Sequence, residues 1–317
     1  MDKKVYIVRS HGEILEQALT DHGFQVTVGD GSVQKEVLAD CNVLLPGGKI
    51  TVDEALLAQA PELKLIVKSG VGYDRIDVDA CTKRGIYVAN TPLTNYLSVA
   101  EHAMMLMLAA AKQVYPISIY LRHTYPDFWC RERYEGCELW GKTLSIIGLG
   151  NIGRRVAELA HAFGMEIVGF DPYADPGRLA EYIRPVPSLD DALAAADFLT
   201  LHVAGGPSTH HMIGQAQLKK MKPSSILINV ARGSVVDQQA LTQALMDGTI
   251  AGAGLDVFET EPIADHNPLM LLENVVATPH CAGNTIDARK RTQTDCLANI
   301  LDFYAGKPPR FALNQPK

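Results

Sequence analysis

Short apolar runs alternate with longer amphipathic stretches along nearly the whole chain, a rhythm that predicts strands followed by helices and therefore parallel sheets. In the first third the runs fall at residues 5–8, 24–28, 42–45, 63–67 and 86–89. A second series occupies 143–148, 166–170, 198–203, 226–230, 250–257 and 275–278. Between the two lies a strongly apolar stretch, 99–114, in which Met104, Met105, Met107 and Leu108 leave little polar face. Ser98 and Glu101 are spaced as a capping box at its start, and Pro116 stands where it is expected to end. A helix of that kind is either deeply buried or packed on a second subunit, and an interface is the expectation. From Asn284 onward the pattern is helical, with a Pro-rich tail long enough to return to the first domain.

A chain of 317 residues exceeds the usual size of one domain, so two are expected. Residues 1–97 and 285–317 are read as one α/β domain and 98–284 as the other. Hydrophobic residues at 47% and charged residues at 21% describe a soluble globule, and a net charge of -7 weighs against nucleic-acid or anionic-membrane binding. The best candidate for a membrane span, 103–111, is far too short. Met1 to Lys4 leads straight into a strand-like run, so no signal peptide is expected. Six cysteines without C-x-x-C or zinc spacing favour reduced thiols in a cytoplasmic setting and no metal.

The run at 143–148 passes directly into G-L-G-N-I-G, residues 148–153. Ile152, Val156, Leu159, Ala160 and Phe163 then repeat on one helical face, and Gly164 stands at the expected left-handed C-terminal cap. Strand, glycines and helix together form a dinucleotide site: Gly148 makes the tight turn, Gly150 lets backbone approach a pyrophosphate, and Gly153 lets helix and strand pack closely. Asp171 ends the next strand, 18 positions beyond Gly153. A carboxylate there accepts from ribose hydroxyls and repels a 2′-phosphate, which favours NAD over NADP.

Asp171, His202, Arg232, Asp256 and His280 all fall at carboxyl ends of expected strands, the edge where open parallel sheets bind ligands. Three residues supply a specific chemistry. Arg232 is a cation for a carboxylate, His280 an imidazole to move a proton, and Glu261 an acid that orients the imidazole and favours its charged form. Together they are the equipment for reducing a 2-keto acid.

Seven motifs carry a resemblance: G-V-G-Y-D at 70–74, V-A-E-H at 99–102, G-L-G-N-I-G at 148–153, F-D-P-Y at 170–173, N-V-A-R-G at 229–233, G-L-D-V-F-E-T-E-P at 254–262 and T-P-H-C-A-G at 278–283. Across nearly its whole length the chain resembles the D-isomer-specific 2-hydroxyacid dehydrogenases. The resemblance implies two doubly wound parallel-sheet domains, a Rossmann NAD-binding domain inserted into a flavodoxin-like substrate domain, with a cleft that closes on substrate and usually a homodimer. It implies catalysis by Arg232, Glu261 and His280, with Asn151, Ile152, Asp171, Val203, Val230, Ala231, Asp256 and Gly283 around the cofactor. Asp256 is expected to accept from the nicotinamide carboxamide. Backbone N–H groups of Ser69, Gly70, Val71 and Gly72 are expected to meet the substrate carboxylate beside Arg232. Hydride would pass to the keto carbon while His280 protonates the oxygen. The candidate substrates are 3-phosphoglycerate, glycerate or hydroxypyruvate, and glyoxylate. Related formate dehydrogenases carry glutamine where Glu261 stands, which disfavours that activity. Corepressors that sense NADH on the same scaffold are the alternative reading, and the absence of extended disordered tails favours catalysis.

Several positions stand outside this scheme. His202 fits a packing role beside the cofactor at least as well as direct contact, and His210 and His211 read as loop residues without enough ligands for a metal. Cys281 fills space behind His280, where thiol reagents could reach it. Ala204, Gly205 and Gly206 replace a proline and bulkier residues of the family's commoner form, which predicts a mobile loop. Lys68, Arg75, Arg131 and Arg133 are candidates for binding a distal anion, with plain surface roles favoured for each singly.

Overall fold

The computed structural model describes residues 2–10, 12–123 and 134–316, and so Arg131 and Arg133 lie outside the described residues. The chain divides into two compact units, one formed by residues 1–95 with 284–317 and the other by 96–283.

The first unit holds β1 (Lys4–Ile7), β2 (Gln25–Val28), β3 (Val43–Leu45), β4 (Leu65–Val67) and β5 (Tyr87–Ala89). They form one sheet in the order β2-β1-β3-β4-β5, with every pairing parallel. That is the flavodoxin-like order. Alternate residues of β1 enter different cores: Val5 and Ile7 pack with Leu15, Leu19, Cys296 and Ile300, whereas Tyr6 and Val8 pack with Leu38, Ile66 and Val88. Both faces of the sheet are thus covered, which is why its strands read as continuous apolar runs rather than alternating ones. The long helix Ile286–Tyr304 supplies Cys296 and Ile300 to this unit, and its N-terminus is capped by Thr285, whose hydroxyl accepts from the Ala288 N–H.

The second unit holds β6 (Thr143–Ile147), β7 (Glu166–Phe170), β8 (Ile183–Pro185), β9 (Phe198–Leu201), β10 (Ile226–Asn229), β11 (Gly252–Leu255) and β12 (Val275–Ala277). Their order is β12-β11-β10-β9-β6-β7-β8, all parallel, which is the Rossmann arrangement with one further strand at the β12 edge. Here too neighbouring residues serve two cores, Ile226 and Ile228 on one face and Leu227 on the other.

Sequence pattern located eleven of these strands to within two residues at the start and missed β8. Its I-R-P offers only one buried side chain and a proline, which a sheet tolerates at an edge. The apolar helix also differs from expectation. It runs Tyr96–Ala111, so Ser98 is a buried residue in its first turn rather than a cap. The break comes at Gln113, with a left-handed φ of 51°. Pro116 does not end the helix but sits in the first turn of the next one, Val114–His123, where a missing N–H leaves no helical bond unmade. No single helix among the described residues is long and apolar enough to cross a membrane.

Candidate active site

The glycine turn after β6 is tightly specified. Gly148 has φ 94°, and a Cβ on it would lie 2.8 Å from the His202 carbonyl. A Cβ on Gly153 would lie 2.0 Å from the Gly148 oxygen, so only glycine lets the helix Asn151–Ala162 sit this close to β6. Gly150 is the opposite case: nothing lies within 4 Å of its hypothetical Cβ, and no side chain caps the helix that follows it. Tight packing on either side of an open, uncapped helix N-terminus is a cradle that fits a pyrophosphate.

At the end of β7 Asp171 ties this turn down. Its Oδ2 accepts from the Leu149 N–H at 2.8 Å and its Oδ1 from the Tyr173 N–H at 2.9 Å. His202, beyond β9, pairs its Nε2 with Thr200 Oγ1 at 2.9 Å, while its Nδ1 is sealed from solvent without a partner. Burial pushes this imidazole down to about 3, so the ring is neutral at any ordinary pH. Val203 packs on the core beside it.

The turn after β10 is organised by Asn229, a residue quoted above only as part of a motif. Its Oδ1 accepts from the Ala231 N–H and its Nδ2 donates to the Arg232 carbonyl, both at 3.0 Å, which fixes the buried Val230 and Ala231 and presents Arg232. The Arg232 guanidinium donates to the Ala231 carbonyl at 2.7 Å. Gly205 backs the same side chain: a Cβ there would stand 2.9 Å from Arg232 Cγ. Behind Arg232, Gly233 lies against the chain after β11, and a Cβ would come within 1.9 Å of the Phe258 carbonyl. This backbone contact joins the Arg232 turn to the segment that carries Glu261.

Glu261 bridges two partners. Its Oε1 accepts from the Phe258 N–H at 3.0 Å and its Oε2 lies 2.6 Å from His280 Nδ1. His280 occupies a left-handed turn at φ 51°, held by its N–H donating to the Asp256 carbonyl at 2.7 Å. The structure therefore brings Glu261 and His280 into direct contact, and the imidazole remains half exposed.

Asp256, expected beside the cofactor, also has a structural duty within the chain. Its side chain is 1% exposed, and both oxygens are engaged within the chain. Oδ1 accepts from the Thr278 hydroxyl at 2.6 Å and the Cys281 N–H at 2.9 Å, and Oδ2 accepts from the Ala282 N–H at 2.9 Å. The carboxylate is the hub of the turn that presents His280. A further residue, His102, reaches this hub from the helix Tyr96–Ala111, with its Nε2 2.9 Å from Thr278 Oγ1. The Thr278 proton is committed to Asp256, so His102 is the donor in that pair. Burial lowers the His102 pKa despite the nearby Asp256 charge, consistent with a neutral ring. The Cys281 thiol is pushed up, first by burial and then by Asp256, which opposes the reactivity expected of it.

In the other unit, the loop after β4 is pinned by side chains that the sequence did not single out. Thr91 Oγ1 accepts from the Gly70 N–H at 2.7 Å, and Asn90 Nδ2 donates to the Val71 carbonyl at 2.8 Å. The Gly70 donor is thus already used within the chain. Lys68 donates to the Ser69 carbonyl at 2.7 Å, and Arg75 is exposed.

Residues 104–282 match the model of the D-isomer specific 2-hydroxyacid dehydrogenase NAD-binding domain. A D-3-phosphoglycerate dehydrogenase from Mycobacterium bovis is 43% identical over 88% of this chain and 52% of its own length. A glyoxylate reductase from Korarchaeum cryptofilum is 41% identical over 88% of this chain and 85% of its own. The chain spans about half the length of the phosphoglycerate dehydrogenases it matches. Among solved structures, a D-lactate dehydrogenase from Aquifex aeolicus, complexed with NAD and lactic acid, superposes with a TM-score of 0.89 at 30% identity, covering 99% of this chain and 100% of that one. With a family model covering more than half of its residues, the chain belongs to the D-isomer specific 2-hydroxyacid dehydrogenases, and its second unit carries the family's NAD-binding domain.

Proposed function

We propose that this chain is an NAD-dependent oxidoreductase that interconverts a 2-keto acid and a D-2-hydroxy acid. The observation that carries the reading is the 2.6 Å contact between Glu261 Oε2 and His280 Nδ1. A carboxylate on Nδ1 fixes the orientation of the ring and the nitrogen that faces it, leaving Nε2 to exchange a proton with a substrate oxygen. NADH, when bound, supplies the hydride. His280 gives its proton to the keto oxygen on reduction and takes it back on oxidation. Arg232 neutralises the substrate carboxylate and polarises the carbonyl beside it. The N–H groups of Ser69, Val71 and Gly72 are proposed as further carboxylate donors, and Asp171 as the acceptor for the adenosine ribose. Asp256 holds the His280 turn, and its proposed contact with the nicotinamide carboxamide would be an added acceptance by oxygens already in use.

The candidate substrates are the keto or hydroxy forms of 3-phosphoglycerate, glycerate and glyoxylate. Phosphohydroxypyruvate, hydroxypyruvate and glyoxylate are therefore the panel for NADH oxidation. Turnover with at least one of them is expected, with a loss of roughly 10²- to 10⁴-fold in His280→Asn while NADH still binds. NADH binding without turnover on any keto acid would instead favour a corepressor-like sensor on this scaffold. We further propose a homodimer in a reducing, cytoplasmic setting, joined through the exposed apolar side chains of Met105, Val114 and Phe163. A monomer in sedimentation analysis would refute that assembly.

A further inference from the structure

We propose that His210, His211 and Glu259 form a binding site for a borderline divalent cation of the Zn2+ type, separate from the residues assigned to the reaction. In sequence the two histidines have no third ligand near them. The fold supplies one from 48 positions away: His211 Nε2 hydrogen-bonds to Glu259 Oε1, and one ligand atom from each of the three residues lies within 4.8 Å of the others.

Consecutive side chains on an extended backbone point to opposite sides. Here His211 has a left-handed φ of 49°, and the two rings stack on the same side with centroids 4.0 Å apart and planes 27° from parallel. A bulky residue in that backbone region is uncommon and is held there by its surroundings. The His211 N–H donates to the Ser234 carbonyl at 2.8 Å, and the Glu259 backbone is seated against Gly233. Both sides of the site thus rest on the same packed turn.

Two imidazoles and one carboxylate are a donor set that suits Zn2+ and leaves a fourth position open for water. Tetrahedral coordination with metal–ligand bonds of about 2.0–2.1 Å places ligand atoms about 3.3 Å apart. The present separations therefore require only side-chain rotations, and the ion takes the place of the proton shared by His211 and Glu259. Mg2+ and Ca2+, which favour all-oxygen shells, fit this set poorly.

The test is calorimetric titration of the metal-stripped protein with Zn2+, beside His210→Ala and the isosteric Glu259→Gln. Cys281→Ser accompanies them, because His102, Asp256 and Cys281 form a second close cluster. The expected result is one Zn2+ per chain, with affinity weakened at least about tenfold in each of the first two variants and unchanged in Cys281→Ser. Binding should weaken in acid and release protons to the buffer, because a ligating imidazole must be neutral. Zn2+ at one fixed concentration should raise the Tm of the wild type and of Cys281→Ser more than that of Glu259→Gln. Circular dichroism establishes that each variant is folded. No Zn2+ binding by the wild type, wild-type affinity in Glu259→Gln and His210→Ala, or loss only in Cys281→Ser would overturn the assignment.

Discussion

Glu261 Oε2 stands 2.6 Å from His280 Nδ1 while Glu261 Oε1 accepts from the Phe258 N–H, so one carboxylate both pairs with the imidazole and closes its own loop. The two duties separate in variants. Glu261→Gln keeps an acceptor for Phe258 but removes the negative charge, so turnover should fall at least about tenfold with little change in Tm. Glu261→Ala loses both duties and should also lose about 1 kcal/mol of stability. Steady-state NADH oxidation with thermal melts distinguishes the two. Wild-type turnover in Glu261→Gln would show that the charge plays no part.

A different coupling runs through Asp256. Truncation to alanine strands the Thr278 hydroxyl and the Cys281 and Ala282 N–H groups at once. At roughly 1–3 kcal/mol for the buried Ala282 donor and less for the part-buried Thr278 and Cys281 donors, Asp256→Ala should cost about 2 kcal/mol or more. Turnover should collapse with it, because His280 rides on the same turn. Urea unfolding gives the stability. A variant as stable as wild type but inactive would move Asp256 from turn hub to direct contact with cofactor.

The hub also marks what a sequence can and cannot reveal here. Strands such as β6 and β10 are legible because both faces of a parallel sheet are covered, which leaves unbroken β-branched and apolar runs. The G-L-G-N-I-G turn is legible because Gly148 and Gly153 are required by contacts of 2.8 and 2.0 Å that any Cβ would violate. Glu261 and His280 were legible as a pair only through the chemistry they imply together. By contrast, the Thr278–Asp256–His102 chain joins residues up to 176 positions apart through ordinary hydrogen bonds, and no local spacing encodes it. The Ser98 capping box failed for a related reason: its local pattern was sound, but burial extended the helix one turn earlier, to Tyr96. Glu259 beside His211 belongs to the same class of non-local pairing.

Two glycines near Arg232 should respond very differently to a methyl group. In Gly233→Ala the Cβ meets the Phe258 carbonyl at 1.9 Å, backbone against backbone, and the variant should lose more than about 3 kcal/mol or fail to fold. In Gly205→Ala the obstacle is Arg232 Cγ at 2.9 Å, part of a side chain that can rotate away. Stability should then stay within about 1 kcal/mol. The KM for the keto acid should rise as the guanidinium shifts, with the KM for NADH little changed. An unchanged keto-acid KM in Gly205→Ala would mean that Arg232 does not depend on this packing.

His202 predicts an acid sensitivity in the fold itself. Burial depresses its pKa to about 3, against 6.5 for the free side chain. Between those values the unfolded chain binds a proton that the folded one refuses, so this residue lowers stability as pH falls below about 6.5 and has no such effect above it. At pH 5 the difference amounts to at most about 2 kcal/mol, from roughly 1.4 kcal/mol per unit over the 1.5 units below the free value. His202→Gln retains a polar group toward Thr200 and cannot titrate in this range. Its unfolding free energy should therefore fall less than that of the wild type between pH 7 and pH 5, even if it is the weaker protein at pH 7. Parallel pH profiles for the two proteins would show that the His202 ring takes up its proton in the folded state, and that the enclosure of Nδ1 does not exclude it.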